Sequence, residues 1–84
     1  MKLGVFTIFD AKVAAYAQPF FSQSRGSAIR AVSDALADPQ HPFSRHPEDY
    51  SLFDLGMYDD QSGAFDLLAA PEQVATALSL LPKK

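Results

Sequence analysis

The spacing of apolar and polar positions divides the chain into short blocks. Residues 3–9, Leu-Gly-Val-Phe-Thr-Ile-Phe, are β-branched and aromatic with apolar side chains on both faces, which predicts a strand inside a sheet. Asp10-Ala11-Lys12 offers a turn, and residues 14–21, Ala-Ala-Tyr-Ala-Gln-Pro-Phe-Phe, can return as a second strand. Pro19 has no N–H to give a ladder, so that strand lies at an edge or ends there; an Ala-rich helical turn over 11–17 is the competing reading. Ser22 to Ser27 is a polar loop containing Gly26, and Ser24 or Ser27 can cap the helix that follows. That helix covers about 27–38, because Ala28, Ile29, Val32, Ala35 and Leu36 recur at the i, i+3, i+4, i+7 spacing, and Pro39 ends it.

Residues 39–48 hold three prolines and read as irregular. Strand character returns over 50–58, with Phe53, Leu55 and Met57 on one face and Tyr50, Leu52, Asp54, Gly56 and Tyr58 on the other. Asp59-Asp60-Gln61-Ser62-Gly63 is a turn, and Ala64 to Ala69 is the returning strand with Phe65 and Leu67 on one face. Pro71 suits the first position of a helix and Glu72 its first turn; Val74, Leu78 and Leu81 stripe it, and Pro82 ends it. The order predicts an α+β fold (ββαββα): a small antiparallel sheet of about four strands with two helices on one face. Val5, Ile8, Ile29, Val32, Leu36, Phe53, Leu55, Val74 and Leu78 are the expected core.

Composition limits what this fold can do. Eighty-four residues make a single domain, 1–84, and 48% apolar with 20% charged residues is globular usage. The absence of cysteine excludes disulfides and thiolate metal sites. The Met1-Lys2-Leu3 start reads as leaderless and no apolar run approaches a membrane span, so a soluble protein kept in the cytoplasm is expected. A sheet this small exposes its edges, which favours a homodimer. The formal charge of −3 speaks against indiscriminate nucleic-acid binding. The charges are segregated, however. From Ala11 to His46, Lys12, Arg25, Arg30 and Arg45 face only Asp34 and Asp38, a balance of +2. From Pro47 to Glu72 there are Glu48, Asp49, Asp54, Asp59, Asp60, Asp66 and Glu72 with no Lys or Arg, a balance of −7. Such a chain can present one anion-seeking surface.

Local patterns add a resemblance. They are Met-Lys-Leu-Gly-Val-Phe-Thr-Ile-Phe-Asp at the start, Pro19-Phe20-Phe21, Ala28-Ile29-Arg30 with Asp34, and Pro42-Phe43-Ser44. His46-Pro47-Glu48-Asp49-Tyr50 follows, then Leu52, Gly56, Asp59-Asp60 and Gly63. Over about residues 1–66 the chain resembles the small nonstructural protein of gokushovirus-like microviruses, phages with circular single-stranded DNA genomes. The resemblance implies a nonstructural protein made in the host cytoplasm of the infected bacterium. It also implies a role in single-stranded DNA synthesis or packaging, in some members as a DNA-binding protein. It carries over no catalytic residues.

Four kinds of chemistry follow from the residues. The first is a basic and aromatic set, Lys12, Phe20, Phe21, Arg25, Arg30, Phe43, Arg45 and His46, with His41 beside it, since single-strand binders combine aromatic platforms with cations that track phosphates. These residues flank the first helix at ends roughly 15–18 Å apart, so Arg30 or a second copy must bridge them; otherwise Phe20, Phe21 and Phe43 are core plugs. The second is a metal site from His41, His46 and Glu48, which matches no standard spacing, so no metal and no cofactor is expected. The third is hydrolysis, for which no nucleophile motif or phosphate loop is present, so no enzyme is expected. The fourth is an acidic interaction surface around Asp54, Asp59, Asp60 and Asp66. Two functions remain: a single-stranded DNA-binding accessory protein, or an adaptor that engages a viral or host protein through its acidic 47–72 surface.

Overall fold

In the computed structural model, which describes residues 1–81, the first strand β1 (Lys2–Asp10) organises the sheet. It is apolar on both faces and has antiparallel neighbours on both edges. β2 (Ala15–Tyr16) and β3 (Phe20–Ser22) pair along one edge, and β4 (Tyr50–Asp59) pairs along the other. β5 (Ala64–Thr76) continues beyond β4, giving the order β2-β1-β4-β5. The return strand expected over 14–21 is split in two, with Pro19 in the gap between β2 and β3. The gap is still tied to β1, because the Ala17 N–H donates to the Ile8 carbonyl at 2.8 Å and the Thr7 hydroxyl donates to the Ala17 carbonyl at 2.7 Å.

Helix α1 (Arg25–Ala37) starts two residues before the expected position 27 because Ser24 takes the N-cap. Its hydroxyl accepts the Ser27 N–H, and the Ser27 hydroxyl accepts the Ser24 N–H, each at 3.1 Å. Two N–H groups left free by helix geometry are thus satisfied reciprocally. Ala28, Val32 and Leu36 form the buried stripe and pack on Phe6, Ile8, Leu52 and Ala77. The proline-rich stretch expected to be irregular holds a four-residue helix α2 (Pro42–Arg45) and a 3-10 turn at Pro47–Asp49. Pro42 occupies the first helical position, where a missing N–H costs nothing.

The helix expected over 71–81 is replaced by strand. β5 runs to Thr76, and a 3-10 turn follows at Leu78–Leu80; Pro82 lies outside the described residues. Glu72 and Gln73 pair with Asp54 and Phe53, so this segment covers a stretch of β4 that would otherwise be an open edge. That ladder outweighs the helical stripe. Val74 and Leu81 still pack on the core, but Leu78 is left 52% exposed. The second helix of the α+β fold is therefore α2.

The core holds the expected Val5, Ile8, Val32 and Leu36, with Ile29 packed against it. Phe53 and Leu55 are only half-buried, and Phe6, Ala28, Leu52 and Ala77 are buried in addition. The reason lies in the register. Val5 pairs with Gly56 and Phe6 with Asp54, so Leu55 has no partner on β1. The extra residue reverses the alternation. Phe53, Gly56 and Tyr58 consequently share one face of β4, whereas the unbroken alternation placed Phe53 with Met57. Among the described residues no helix is long and apolar enough to cross a membrane.

Candidate nucleic-acid interface

The eight residues expected to contact DNA do not gather at one place. Phe20 lies 6.1 Å from Phe6 by ring centroid and packs on the core under α1. Phe43 also packs on the core, 4.8 Å from Tyr50 and 4.4 Å from His41. Phe21 is on the opposite face of the sheet and is 51% exposed. Lys12 sits in the exposed turn before β2, where its N–H is held by Asp10 Oδ1 at 3.0 Å. Arg30 is exposed on α1, and Arg45 is exposed on α2 with Nη2 3.5 Å from Gln40 Oε1. His46 Nδ1 is 3.7 Å from Glu48 Oε1.

Arg25 has a different task. From the first turn of α1 its Nε donates to Asp54 Oδ2 at 2.9 Å and its Nη2 to Glu72 Oε1 at 3.0 Å. One guanidinium so ties the helix to β4 and β5 together. The hydrogen bonds to Glu72 and then Asp54 raise its pKa further. Its fork is thereby committed to carboxylates rather than to phosphates.

Strand register shows a second set of residues. Cross-strand partners share a face. Leu3, Val5, Thr7 and Phe9 of β1 therefore lie on the side away from α1, with Phe21, Phe53, Tyr58, Phe65 and Tyr16. The rings form two clusters. In the first, Phe9 is 4.8 Å from Tyr16 and 6.1 Å from Phe53, and Tyr16 meets Phe53 edge-on at 5.6 Å. In the second, Tyr58 is 5.3 Å from Phe21 and 4.8 Å from Phe65. Tyr16, Phe21 and Phe65 keep half or more of their surface in solvent. The charged strand residues, Lys2, Asp10, Asp54, Asp59, Asp66 and Glu72, all fall on the helix side by the same register. The open face is aromatic and uncharged.

Of these rings sequence reasoning singled out only Phe21. Phe9, Tyr16, Phe53, Tyr58 and Phe65 were visible as strand aromatics, but their shared face depends on the bulge at Leu55. The acidic stretch is also changed by its partners. Asp54 and Glu72 hold Arg25, and Asp60 accepts from the Met1 ammonium at 2.8 Å. Asp59 accepts the Gln61 N–H at 2.9 Å, which is the main cause of its lowered pKa. Asp66 has no ion-pair partner among the described residues.

For metal, His46, Glu48 and Asp49 bring ligand atoms within 4.8 Å of one another, while His41 turns its Nδ1 to accept the Phe43 N–H at 3.2 Å. His41 is thus occupied as a cap of α2, and the remaining three are exposed neighbours on one turn. Comparisons with curated proteins and with solved structures return no match. Residues 3–80 match one family, described as Phage ORF5 protein, and the chain, a small phage protein, belongs to that family.

Proposed function

We propose that this phage protein is a nonstructural single-stranded DNA-binding accessory protein of a microvirus, acting in genome synthesis or packaging in the host cytoplasm. Bases stack on the open aromatic face of the sheet. The observation that carries this reading is the pair of three-ring clusters on an uncharged face, with Tyr16, Phe21 and Phe65 half exposed. Aromatic side chains on a sheet surface are a recurring platform for unstacked bases, at ~1–3 kcal/mol per base. The strand residues on this side are uncharged, and Arg25 is engaged elsewhere. Binding is therefore led by stacking, with one or two phosphate contacts and a salt slope of roughly −0.7 to −1.4. The adaptor reading through residues 47–72 has less support, since Asp54, Asp60 and Glu72 already have internal cationic partners.

The chain has three tyrosines and no tryptophan, so tyrosine emission reports directly on the face that carries Tyr16 and Tyr58. Titration with oligo-dT at low salt should quench it. Phe21→Ala with Phe65→Ala should weaken binding by about tenfold or more, the equivalent of one lost stack. Arg30→Ala with Arg45→Ala should change it by less than about threefold, since neither residue lies on that face. Absence of binding by the wild-type chain refutes DNA binding. Loss of binding in the arginine pair with none in the phenylalanine pair refutes the aromatic face as the site.

A further inference from the structure

We infer, resting on the DNA-binding reading of the open face, that Phe21 and Phe65 form a clamp that takes one unstacked nucleobase between their rings, with Tyr58 as its floor. By register Val5 pairs with Phe21, Leu3 with Tyr58, and Tyr58 with Phe65, so the three rings stand in neighbouring rows of one face. β3 and β5 carry the two outer rings, and β1 and β4 lie between them. A flat sheet would hold those outer strands about 14 Å apart, three inter-strand spacings. The Phe21 and Phe65 ring centroids are nevertheless only 6.5 Å apart. The face is therefore concave here. The two rings lean toward each other over Tyr58, which is 5.3 Å from Phe21 and 4.8 Å from Phe65.

The spacing suits a base. Bases in a stack lie ~3.4 Å apart, so a base with a ring on either side needs roughly 6.8 Å between those rings. Phe21 and Phe65 are inclined by 31°, near enough to parallel for one planar group to meet both. They keep 51% and 55% of their surface in solvent, which leaves apolar ring area wet until something planar covers it. Below them Tyr58 is half-buried and Val5 is buried, so the slot has a closed floor. The other cluster is built differently. Tyr16 is its half-exposed ring, tilted by 52° to Phe9 and by 84° to Phe53, so these rings close against one another and offer a base a single face. The uncharged lining selects the base rather than the phosphate, and any base fits because each has a π-face. A base free to enter is one outside a duplex stack, which single strands supply.

A mononucleotide separates a clamp from two independent platforms. In an NMR titration of the full chain, deoxyadenosine monophosphate should move the ring resonances of Phe21 and Phe65 together, and 2-deoxyribose 5-phosphate should leave them in place. A single base occupies one platform at a time, so if the rings acted separately, removing either would change affinity by about twofold at most. In a clamp both rings hold the same base. Phe21→Leu and Phe65→Leu should therefore each weaken binding of the mononucleotide at least about fivefold, the equivalent of one lost stacking face. The circular dichroism spectrum should stay that of the wild type, since both rings are half in solvent and leucine keeps their apolar cover. Should a variant lose that spectrum, the wild-type titration decides: Phe21 and Phe65 resonances that do not move together overturn the clamp. If oligo-dT binds while the mononucleotide is indifferent to both leucine variants, or does not bind, the clamp is wrong and DNA binding stands. The same holds if the sugar phosphate alone shifts the two rings. If neither oligo-dT nor the mononucleotide binds, the DNA reading fails and the clamp with it.

Discussion

Gly56→Ala should be the most damaging single-methyl change in the sheet. Gly56 has φ +136, a region that side-chain-bearing residues rarely adopt, and it follows the unpaired Leu55 of the bulge. A methyl there would collide with the Asp66 carbonyl oxygen and would lie 2.7 Å from Leu67 Cα, both backbone atoms of β5. The dihedral strain costs about 1–3 kcal/mol. Forcing β5 away from β4 adds about 1–3 kcal/mol. Their sum, roughly 2–6 kcal/mol, is a large part of the ~4–13 kcal/mol available to a chain of this length. At ~4–8 °C per kcal/mol, melting by circular dichroism should fall by at least about 8 °C. Gly26→Ala is the matched control. It lies in the first turn of α1, where an added Cβ would come no closer than 3.7 Å to Ser24 Oγ, so it should gain up to ~1 kcal/mol. A Gly56→Ala protein that melts within about 2 °C of wild type would refute the claim that this bend holds the two ring clusters on one face.

Four further outcomes follow from the ties around α1, the chain start and the turn after β4. Ser24→Ala removes one half of the reciprocal cap and should cost about 1 kcal/mol in urea unfolding. Arg25→Met should lower the urea midpoint at low salt, and the difference from wild type should narrow at high salt, because both of its carboxylate partners are reached through solvent-exposed bonds. The Met1 ammonium has its pKa raised, chiefly by its hydrogen bond to Asp60, so its contribution is complete below 8.0 and is lost as pH rises through the higher folded value. Asp59 has the opposite sign. Its pKa is lowered from 3.8 mainly by the Gln61 N–H, so its contribution is complete above 3.8 and is lost as pH falls through the lower folded value. Urea midpoints across both limits should show these declines, and Asp60→Asn should flatten the alkaline one alone.

The strands β1 and β4 and the helix α1 were legible because their signals are local. A two-sided apolar strand, a 3.6-residue stripe and a serine cap each describe one element without reference to another. The 71–81 segment shows the limit. Pro71, Glu72 and the Val74–Leu78–Leu81 spacing are sound helical signals, yet Glu72 and Gln73 are claimed by Asp54 and Phe53 across the sheet. Nothing within the segment announces that partner. The competition is decided by β4, whose outer edge from Tyr50 to Asp54 would otherwise carry unpaired backbone groups. Phe20 and Phe21 show the same limit at the scale of neighbours. Adjacent strand residues point to opposite faces, so one is packed with Phe6 and the other is half in solvent.

The candidate site was illegible for a related reason. Basic and aromatic residues close in sequence suggested one surface, but the fold sorts them by face rather than by neighbourhood. The one-residue bulge at Leu55 puts Phe53 and Tyr58, five positions apart, on the same side of β4. Unbroken alternation would place residues an odd number apart on opposite sides. Phe9 and Tyr16 reach Phe53 through β1 and β2, and Phe21 and Phe65 reach Tyr58 through β3 and β5. A single inserted residue therefore unites rings from five strands, while the charges of those strands stay on the helix side. The same sorting makes the segregated charge a property of structure rather than of binding. The +2 segment supplies Arg25, the −7 segment supplies Asp54 and Glu72, and the two close on each other at the start of α1. What remains for a ligand is the surface that charge has left, and aromatic stacking is the chemistry it offers.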